Sequence, residues 1–440
     1  MSDFLDGFQP ERVFAWRDGM AIGQGEFLSD VLAVAERLPE RPYVLALCDD
    51  RYNFLVSFGA ALLRGQVSLF SHSYAPGALK DIAASYPDLY ATYDRDSHGL
   101  DIEAVPIRVS GGSLMHGSVP SFAPETMVAI AFTSGSTGKP RPTPKNWRAL
   151  AAGAQALERR VGRPKDQPMS VVATIPSGHS YGIETTVMPP LLSGTSIEAS
   201  RPLFPADVVA ALARVSAPRC LVTTPIHLRA LVASSVCFPQ LDLVICATAP
   251  LNLALAQKAE ARLGARLLEI YGCTESGFVA TRWTTDGGPW LIRDDMTLRP
   301  LDTGYAVTAE FLPEAVPLAD IIERLDDRSF NLTGRTADIV NIAGKRASLE
   351  GLSRILLAIE GVEDAVFVVP ESEDLSSTNR LAALAVAPTL TLAALRRHLL
   401  ERIDPAFMPR QIKIVDRLPR NETGKLLRDR LTSLLKSSHA

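Results

Sequence analysis

Cysteine is scarce in this 440-residue sequence, and long apolar runs are missing. No uninterrupted apolar stretch approaches the roughly 18 residues that a membrane-spanning helix needs. The acidic first six residues lack the basic region and apolar core of a signal peptide. The few cysteines are scattered, odd in number and without a C-x-x-C pair, which indicates isolated thiols in a reducing compartment; they are Cys48, Cys220, Cys237, Cys246 and Cys273. We therefore expect a soluble cytoplasmic protein with no membrane partner.

Basic charge is not in excess either. The 45 lysines and arginines are outnumbered by 49 acidic residues, for a formal net charge of −4. Because a nucleic-acid surface requires a basic excess, we expect no nucleic-acid partner. The length and the 47% hydrophobic content allow a large core and predict two or more domains.

From residue 41 onward, short apolar runs alternate with segments of helical length. The predicted strands are 44–47, 67–70, 170–175, 220–223, 241–246 and 267–270, and the predicted helices are 52–64, 147–160, 182–192, 205–215 and 253–263. This alternation is typical of a layered α/β domain with much parallel sheet. Beyond residue 335 the pattern becomes a small α+β unit, so we predict a large domain over 1–335 and a small one over 336–440.

A loop rich in glycine and hydroxyl groups follows an apolar run at 129–132. Its residues are Thr133, Ser134, Gly135, Ser136, Thr137, Gly138 and Lys139. The hydroxyls can donate, the glycines let an anion approach the backbone, and Lys139 and Arg141 add positive charge, as a loop around nucleotide phosphates requires. The Walker A pattern is excluded, because Thr133 stands at its first glycine and Pro140 follows Lys139. Taken alone, the loop fits a plain polar turn equally well.

Two more loops follow predicted strands, Thr248-Ala249-Pro250 and Tyr271-Gly272-Cys273-Thr274-Glu275. Ligands of parallel sheets bind beyond the carboxyl ends of the strands, so one crevice could gather all three loops. Further motifs come later in the chain; they are Asp320, Leu332-Thr333-Gly334-Arg335, Gly344-Lys345 and Thr423-Gly424-Lys425.

With these motifs in this order, nearly the whole chain resembles the adenylate-forming superfamily, which comprises acyl- and aryl-CoA synthetases, peptide-synthetase adenylation domains and luciferases. The resemblance implies a large α/β N-terminal domain with a small, mobile C-terminal lid. It also implies that ATP and Mg²⁺ are used to adenylate a carboxylic acid, with release of pyrophosphate, before transfer to a thiol. Positioning and electrostatic stabilisation dominate such phosphoryl chemistry. A lid with two poses can exclude water and then admit the thiol.

The resemblance also implies roles for individual residues. The loop 133–139 would hold the β- and γ-phosphates, Thr274 would contact the α-phosphate, and Glu275 would bind Mg²⁺. Tyr271 and Gly272 would lie against the adenine, with Thr248 and Ala249 along its other edge.

Four of the implied roles belong to the later motifs. Asp320 would accept the ribose hydroxyls, with Arg335 close behind. Lys425 would be the catalytic lysine that reaches the carboxylate and the α-phosphate, and Gly344-Lys345 would line the thiol channel. The local context of Lys425 alone favours a solvated lysine.

The sequence departs from the superfamily pattern in two places. Arg141-Pro142 replaces the usual lysine-glycine after the phosphate loop, and Ala337 stands at the hinge position, where aspartate or lysine is usual. These departures leave open a nucleotide-binding relative that has lost turnover.

The acid pocket is expected in the segment after strand 170–175. Its candidate residues are His179, Ser180, Tyr181 and Gly182, with Ala247, Cys273 and Phe278 as apolar walls. Because no acidic residue precedes Glu184 in this segment, an α-amino acid is not expected. His179-Ser180-Tyr181 resembles aryl-acid activators, which favours an aryl acid such as 4-hydroxybenzoate. A packed histidine satisfied by the backbone is the alternative for His179.

Short stand-alone relatives resemble ligases that load an acyl carrier protein, so we favour a carrier phosphopantetheine over free coenzyme A as acceptor. Basic residues could meet an acidic carrier, although solvated helix faces explain them equally well; they are Arg346, Arg396, Arg397 and Arg410. A CoA synthetase for a short or branched fatty acid, or for an aryl acid, is the alternative.

Overall fold

The computed structural model describes residues 2–71, 76–95, 102–109, 115, 118–134, 140–164, 167–335, 339–342, 345–370, 381–421 and 424–436. The chain forms two compact units. The first unit holds 1–288, 293–296 and 309–314, and the second unit holds 289–292, 297–308 and 315–440. The domain boundary that we predict after residue 335 stays a prediction.

The first unit contains sixteen strands and nine α-helices among its described residues. Strands β1 to β8 are Ser2–Asp3, Val13–Arg17, Met20–Gly23, Tyr43–Ala46, Val67–Phe70, Leu89–Tyr93, Ala104–Pro106 and Ser121–Phe122. Strands β9 to β16 are Met127–Ser134, Pro140–Asn146, Ser170–Ala173, Ser196–Glu198, Arg219–Thr223, Leu243–Cys246, Arg266–Cys273 and Gly277–Trp283. Helices α1 to α9 are Gln24–Ala35, Arg51–Leu63, Pro76–Ser85, Trp147–Val161, Ser180–Gly182, Met188–Leu192, Pro205–Arg214, Pro225–Ala233 and Leu253–Leu263.

Two sheets dominate the first unit. One has the order β10-β9-β5-β4-β6-β7, and the strands of the other follow one another as β16-β15-β14-β13-β11-β12-β2-β3. The inner pairs are parallel, and β10, β16 and β3 pair antiparallel with their neighbours. Alternate residues of the second sheet enter different cores, since Val171 and Val222 belong to one cluster and Val172 and Leu221 to the other. The predicted layered α/β fold is confirmed.

Local signals explain where several elements begin and end. The side chain of Asn252 caps α9 by accepting from the N–H of Ala254, and Gly264 ends the helix in the left-handed region at φ +66°. Strand β10 carries prolines at 140, 142 and 144, and the sequence did not predict it. Prolines are tolerated there because β10 is an edge strand and alternate residues direct their backbone nitrogens away from β9.

The second unit contains eleven strands and three α-helices among its described residues. Strands β17 to β27 are Trp290–Ile292, Thr297–Pro300, Tyr305–Thr308, Val316–Pro317, Asp320–Arg324, Ser329–Arg335, Ile339–Ile342, Lys345–Ser348, Asp364–Val368, Ala382–Val386 and Gln411–Ile414. Helices α10 to α12 are Leu349–Leu357, Leu392–Leu400 and Arg428–Lys436. Its small core gathers apolar side chains of α10, β25, β26 and α11. The predicted α+β pattern beyond residue 335 is therefore present.

All five cysteines are unpaired, as the sequence predicted. Among the helices of the described ranges, none has the length and apolarity needed to cross a membrane.

Candidate functional site

The carboxyl ends of four parallel strands form the edge at which the candidate site lies. In the register, Ala173 of β11 pairs with Val222 of β13, and Cys246 of β14 pairs with Thr223 on one side and Glu269 on the other. The segments that follow these strands therefore start at the same edge of one sheet. They are 176–182, 247–250 and the end of β15, which runs on from Glu269 to Cys273 and leads into the turn 274–276. This edge brings together the predicted adenine, α-phosphate and acid segments.

The turn between β15 and β16 presents Thr274 and Glu275. Glu275 is exposed and Thr274 is half-buried. Gly272 lets the two strands approach, because a Cβ there would collide with the carbonyl of Gly277. The Sγ of Cys273 lies 3.1 Å from the Oγ of Ser276, so this thiol packs inside the turn. The hairpin thus holds a carboxylate and a hydroxyl at the edge of the sheet.

Thr248, directly beyond β14, adopts a backbone conformation that β-branched residues rarely take. Its φ is +81°, and only one other non-glycine residue of the described chain has a positive φ. Such strain persists where the surrounding structure fixes it, and it concentrates at ligand sites. The strain makes Thr248 a candidate ligand-site residue, and the sequence alone does not show it.

The predicted phosphate loop connects two paired strands. Thr133 and Ser134 end β9, and Ser134 pairs with Pro140 at the start of β10. The rest of the loop, Gly135, Ser136, Thr137, Gly138 and Lys139, lies outside the described residues. The loop is therefore the connection of a β-hairpin at the edge of the six-stranded sheet.

A buried lysine, which the sequence analysis did not single out, joins this hairpin to the Glu275 turn. Lys145 of β10 is 7% exposed, and its Nζ donates to the backbone carbonyl of Glu275 at 2.9 Å. Burial lowers the pKa of Lys145, and the carboxylate of Glu184 opposes that effect.

Two more buried charges hold the start of β16. The backbone N–H of Phe278 donates to both carboxylate oxygens of Glu184 at 3.1 Å, and the carbonyl of Phe278 accepts from the Nη1 of Arg293 at 3.0 Å. Burial raises the pKa of Glu184, and Arg293 and Lys145 counteract this rise. Arg293 also pairs with Asp295 through both ends of its guanidinium, at 2.9 and 2.7 Å.

The predicted acid segment is tightly fixed. His179 caps the helix that begins at Ser180, its Nδ1 accepting from the N–H of Tyr181 at 3.2 Å. Tyr181 is buried, and its hydroxyl lies 3.0 Å from the carbonyl of Ile245 and 3.2 Å from that of Thr223. A Cβ on Gly182 would collide with the carbonyl of Pro176, so the helix needs glycine at its start.

The predicted apolar walls of the acid pocket differ in exposure. Ala247 and Phe278 are buried, Cys273 is half-buried, and the ring of Phe278 packs against the Arg293 guanidinium at 4.7 Å. Ala247 directly follows β14, and Cys273 ends the neighbouring β15, four residues beyond Glu269, which pairs with Cys246.

Two further side chains at this edge escaped the sequence analysis. Buried Arg51 donates to the carbonyls of Ala173 and Ile175 and to the hydroxyl of Ser177, over distances of 2.9 to 3.2 Å. The Nδ1 of His227 lies 2.8 Å from the hydroxyl of Thr174. No local pattern marks either residue, because their partners are more than fifty residues away in sequence.

The later motifs lie in the second unit. Asp320 starts β21 and pairs with Arg335 at the end of β22. Lys345 begins β24, and Gly344 lies outside the described residues, as do Ala337 and the adjoining hinge.

The Lys425 loop of the second unit is held by an arginine. Arg420 pairs with Asp364 through two bonds of 2.8 Å and donates to the carbonyl of Gly424 at 2.7 Å. Gly424 has φ +83°, and the backbone N–H of Lys425 donates to the Asn421 side chain at 2.8 Å. The Lys425 side chain is exposed.

Two family models match this chain. Residues 49–303 match the AMP-binding enzyme family, and residues 354–425 match the AMP-binding enzyme C-terminal domain. The chain belongs to the AMP-binding enzyme family. It is an AMP-forming acid–thiol ligase, and the resemblance inferred from the motifs is confirmed.

Individual relatives of this AMP-binding enzyme agree with that assignment. A 4-coumarate–CoA ligase of Halorhodospira halophila is 32% identical over 306 residues, which cover 67% of this chain and 73% of the relative. FadD10 of Mycobacterium tuberculosis, a medium/long-chain-fatty-acid–[acyl-carrier-protein] ligase, is 24% identical over 432 residues. The match covers 85% of this chain and 76% of FadD10. The solved structure of ATP-bound MatB from Rhodopseudomonas palustris superposes with a TM-score of 0.82 at 18% identity, covering 98% and 97% of the two chains.

The first unit of this AMP-binding enzyme has a donor set suited to magnesium with a nucleotide. No cluster of three or more His, Cys, Asp and Glu side chains that could hold a metal occurs in the described part of the chain. Mg²⁺ that is bound together with phosphates needs only one or two carboxylates, because phosphate and water oxygens complete its shell. The exposed Glu275 carboxylate beside the Thr274 hydroxyl fits that requirement.

Proposed function

We propose that this protein adenylates an aryl carboxylic acid, a hydroxybenzoate such as 4-hydroxybenzoate, with ATP and Mg²⁺ and with release of pyrophosphate. It then transfers the acyl group to the phosphopantetheine thiol of an acyl carrier protein.

The position of Tyr181 carries the proposal of an aryl acid. Its ring is buried, and its hydroxyl is anchored to the carbonyls of Thr223 and Ile245, near the carboxyl ends of β13 and β14. We infer that the Tyr181 ring limits the depth of an acid pocket walled by Ala247 and Cys273, which suits a flat ring better than a long chain. The 32% identical relative is named for 4-coumarate, which is also an aryl acid.

An α-amino acid lacks a partner for its ammonium group in this segment. The first acidic residue after the strand, Glu184, is 8% exposed and accepts the N–H of Phe278 with both oxygens. A carboxylate that is buried and bonded in this way is not available to a substrate.

The roles in the first step follow from charge and position. Glu275 would hold the Mg²⁺, which when bound neutralises phosphate charge, and Thr274 would donate to the α-phosphate. Thr248, Ala249, Tyr271 and Gly272 would bind the adenine, and the loop 133–139 would bind the outgoing pyrophosphate. In the second unit, Asp320 and Arg335 would bind the ribose side of the nucleotide.

Lys425 would bring a positive charge to the carboxylate and the α-phosphate as the two anions approach, which lowers the repulsion between them. Gly344 and Lys345 would line the path of the thiol in the second step. Arg396 and Arg397 on α11 and Arg410 before β27 are exposed, and such a basic surface suits an acidic carrier protein. A relative named as a carrier-protein ligase supports this acceptor.

A medium-chain fatty acid is the second candidate substrate, because a cavity of about 60 Å³ is lined by Thr185 and Ile245, which both hydrogen-bond to Tyr181. Val171, Val222 and Ile245 line it, together with Pro168 and Met169, which precede β11. An acid chain could occupy this cavity only if the Tyr181 ring moved aside.

Acid-dependent exchange of labelled pyrophosphate into ATP tests the proposal across hydroxybenzoates, cinnamates, medium-chain fatty acids and amino acids. We expect the highest kcat/KM for a hydroxybenzoate; a clear preference for fatty acids would reject the aryl assignment. Turnover of the preferred acid is then compared with holo-carrier protein and with coenzyme A under the same conditions. Faster turnover with coenzyme A would reject the carrier protein as acceptor.

A further inference from the structure

Three buried charged side chains hold the short turn that carries Glu275. Lys145 donates to the carbonyl of Glu275 at 2.9 Å, Glu184 accepts the N–H of Phe278, and Arg293 donates to the carbonyl of Phe278 at 3.0 Å. All three side chains belong to residues that are less than 9% exposed.

Burying these charges is costly, because each loses its hydration and regains only what its partners supply. The carbonyl of the exposed Glu275 can bond to water and does not need a buried partner, whereas the N–H and carbonyl of the buried Phe278 do. The bond from buried Lys145 to the Glu275 carbonyl therefore serves geometry better than stability.

The bond from Lys145 fixes the position of the Glu275 backbone relative to β10. Lys145 lies on the strand that directly follows the phosphate loop, and its bond spans 130 residues of sequence. One side chain thus ties the proposed phosphate-binding hairpin to the proposed magnesium ligand. Since Mg²⁺ demands near-ideal octahedral geometry, a small displacement of one ligand weakens its binding.

We propose that Lys145 is a positioning residue for magnesium-dependent ATP binding, and that Glu184, which holds the N–H of Phe278 three residues beyond Glu275, is the buried charge of opposite sign beside the same turn. This inference rests on the proposed role of Glu275 as the magnesium ligand. Lys145 acts through the backbone of Glu275 and does not itself touch the nucleotide.

The test compares the intact protein with the variants Lys145→Met, Glu184→Gln and Lys145→Met/Glu184→Gln. Calorimetry measures ATP affinity at a series of Mg²⁺ concentrations, without acid, and thermal unfolding is followed in parallel. Lys413→Met is the matched control, because the Nζ of Lys413 also donates to a backbone carbonyl, that of Leu434, at 2.9 Å. The double variant removes both buried charges, so it keeps the measurement possible if Lys145→Met alone fails to fold.

We expect Lys145→Met and the double variant to need roughly tenfold more Mg²⁺ for half-maximal ATP binding, the effect of one lost charge-assisted bond. Glu184→Gln still accepts the Phe278 N–H, and we expect it to keep the normal Mg²⁺ requirement, as does Lys413→Met. The double variant should regain thermal stability relative to Lys145→Met without regaining Mg²⁺ affinity.

A double variant with the normal Mg²⁺ requirement would overturn the inference, because Lys145 would then matter only for stability. The inference also fails if ATP affinity falls equally at all Mg²⁺ concentrations. Since no acid is present in this experiment, a protein that binds MgATP but adenylates no aryl acid would refute the proposed function and leave this test intact.

Discussion

Gly277 leaves no room for a side chain over Glu184: a Cβ at position 277 would collide with the Oε1 of that buried carboxylate. Gly277 also has φ +73°, in the left-handed region. Gly277 is the first residue of β16, directly after the Glu275 turn. Because it has no side chain, Glu184 can reach the N–H of Phe278. Position 277 requires glycine for two independent reasons.

Gly277→Ala should lower the free energy of unfolding by about 1–2 kcal/mol for the left-handed backbone and by roughly 1–3 kcal/mol more for the collision. Gly287→Ala is the matched control, because Gly287 has φ +69° and a Cβ added there would meet no atom within 4 Å. Urea unfolding of both variants measures the difference. If the two variants lost equal free energy of unfolding, the Glu184 side chain would have moved to make room for the added methyl group, and the predicted cost of the collision would be wrong.

The stability of the protein should depend on pH through His227. Burial, together with the charge of Arg201, lowers the pKa of His227 in the folded state below its usual value near 6.5. The unfolded chain therefore takes up the proton first, and the free energy of unfolding falls as pH drops through about 6.5, by at most about 1.4 kcal/mol per pH unit. The loss levels off below the folded-state pKa. Urea unfolding between pH 8 and 5 measures the free energy of unfolding of the protein and of His227→Gln. If the difference between these two free energies did not change with pH, the prediction would be wrong.

Tyr181→Ala should extend the acid pocket into the neighbouring cavity. We expect kcat/KM for a medium-chain fatty acid to rise at least about tenfold relative to a benzoate, because the chain gains apolar surface to bury. Tyr181→Phe keeps the ring and loses only the hydroxyl, so it should retain the original preference. Thermal unfolding checks that the alanine variant is folded, since removing a buried aromatic ring costs about 3–5 kcal/mol. An unchanged preference in a folded alanine variant would show that Tyr181 does not limit the pocket.

Lys425→Ala should lower the rate of acid-dependent pyrophosphate exchange by at least about a hundredfold, because the positive charge at the reacting oxygens is lost. ATP binding, measured by calorimetry, should change little. Lys258→Ala removes an exposed lysine from α9 and is the control. Normal exchange by the Lys425 variant would remove this residue from the catalytic role.

The sequence predicted the elements whose ends carry local signals. Helix α9 has the bounds predicted for it, 253–263, and the structure shows that Asn252 caps it and Gly264 terminates it. Strand β10 was missed, because alternate prolines usually argue against a strand and only its edge position permits them. The helix predicted at 182–192 begins two residues earlier and contains a π-helical turn, Ile183–Val187, which no local pattern announces.

The site could be predicted only where its chemistry lies in contiguous motifs. Thr274 and Glu275 form part of such a motif and lie together at the edge of the sheet. Lys145 and Arg51 could not be found this way, since each bonds to backbone or side-chain groups more than a hundred residues away. The strain at Thr248 is a backbone property that Ala-Thr-Ala does not encode locally.

Transfer of isotope from the acid to AMP tests the central claim most directly. A hydroxybenzoate labelled with ¹⁸O in its carboxylate is incubated with ATP, Mg²⁺ and the thiol acceptor, and the AMP formed is analysed by mass spectrometry. If the carboxylate attacks the α-phosphate and the thiol then takes the acyl group, each AMP keeps one labelled oxygen. AMP without label, or ADP as the nucleotide product, would contradict the account.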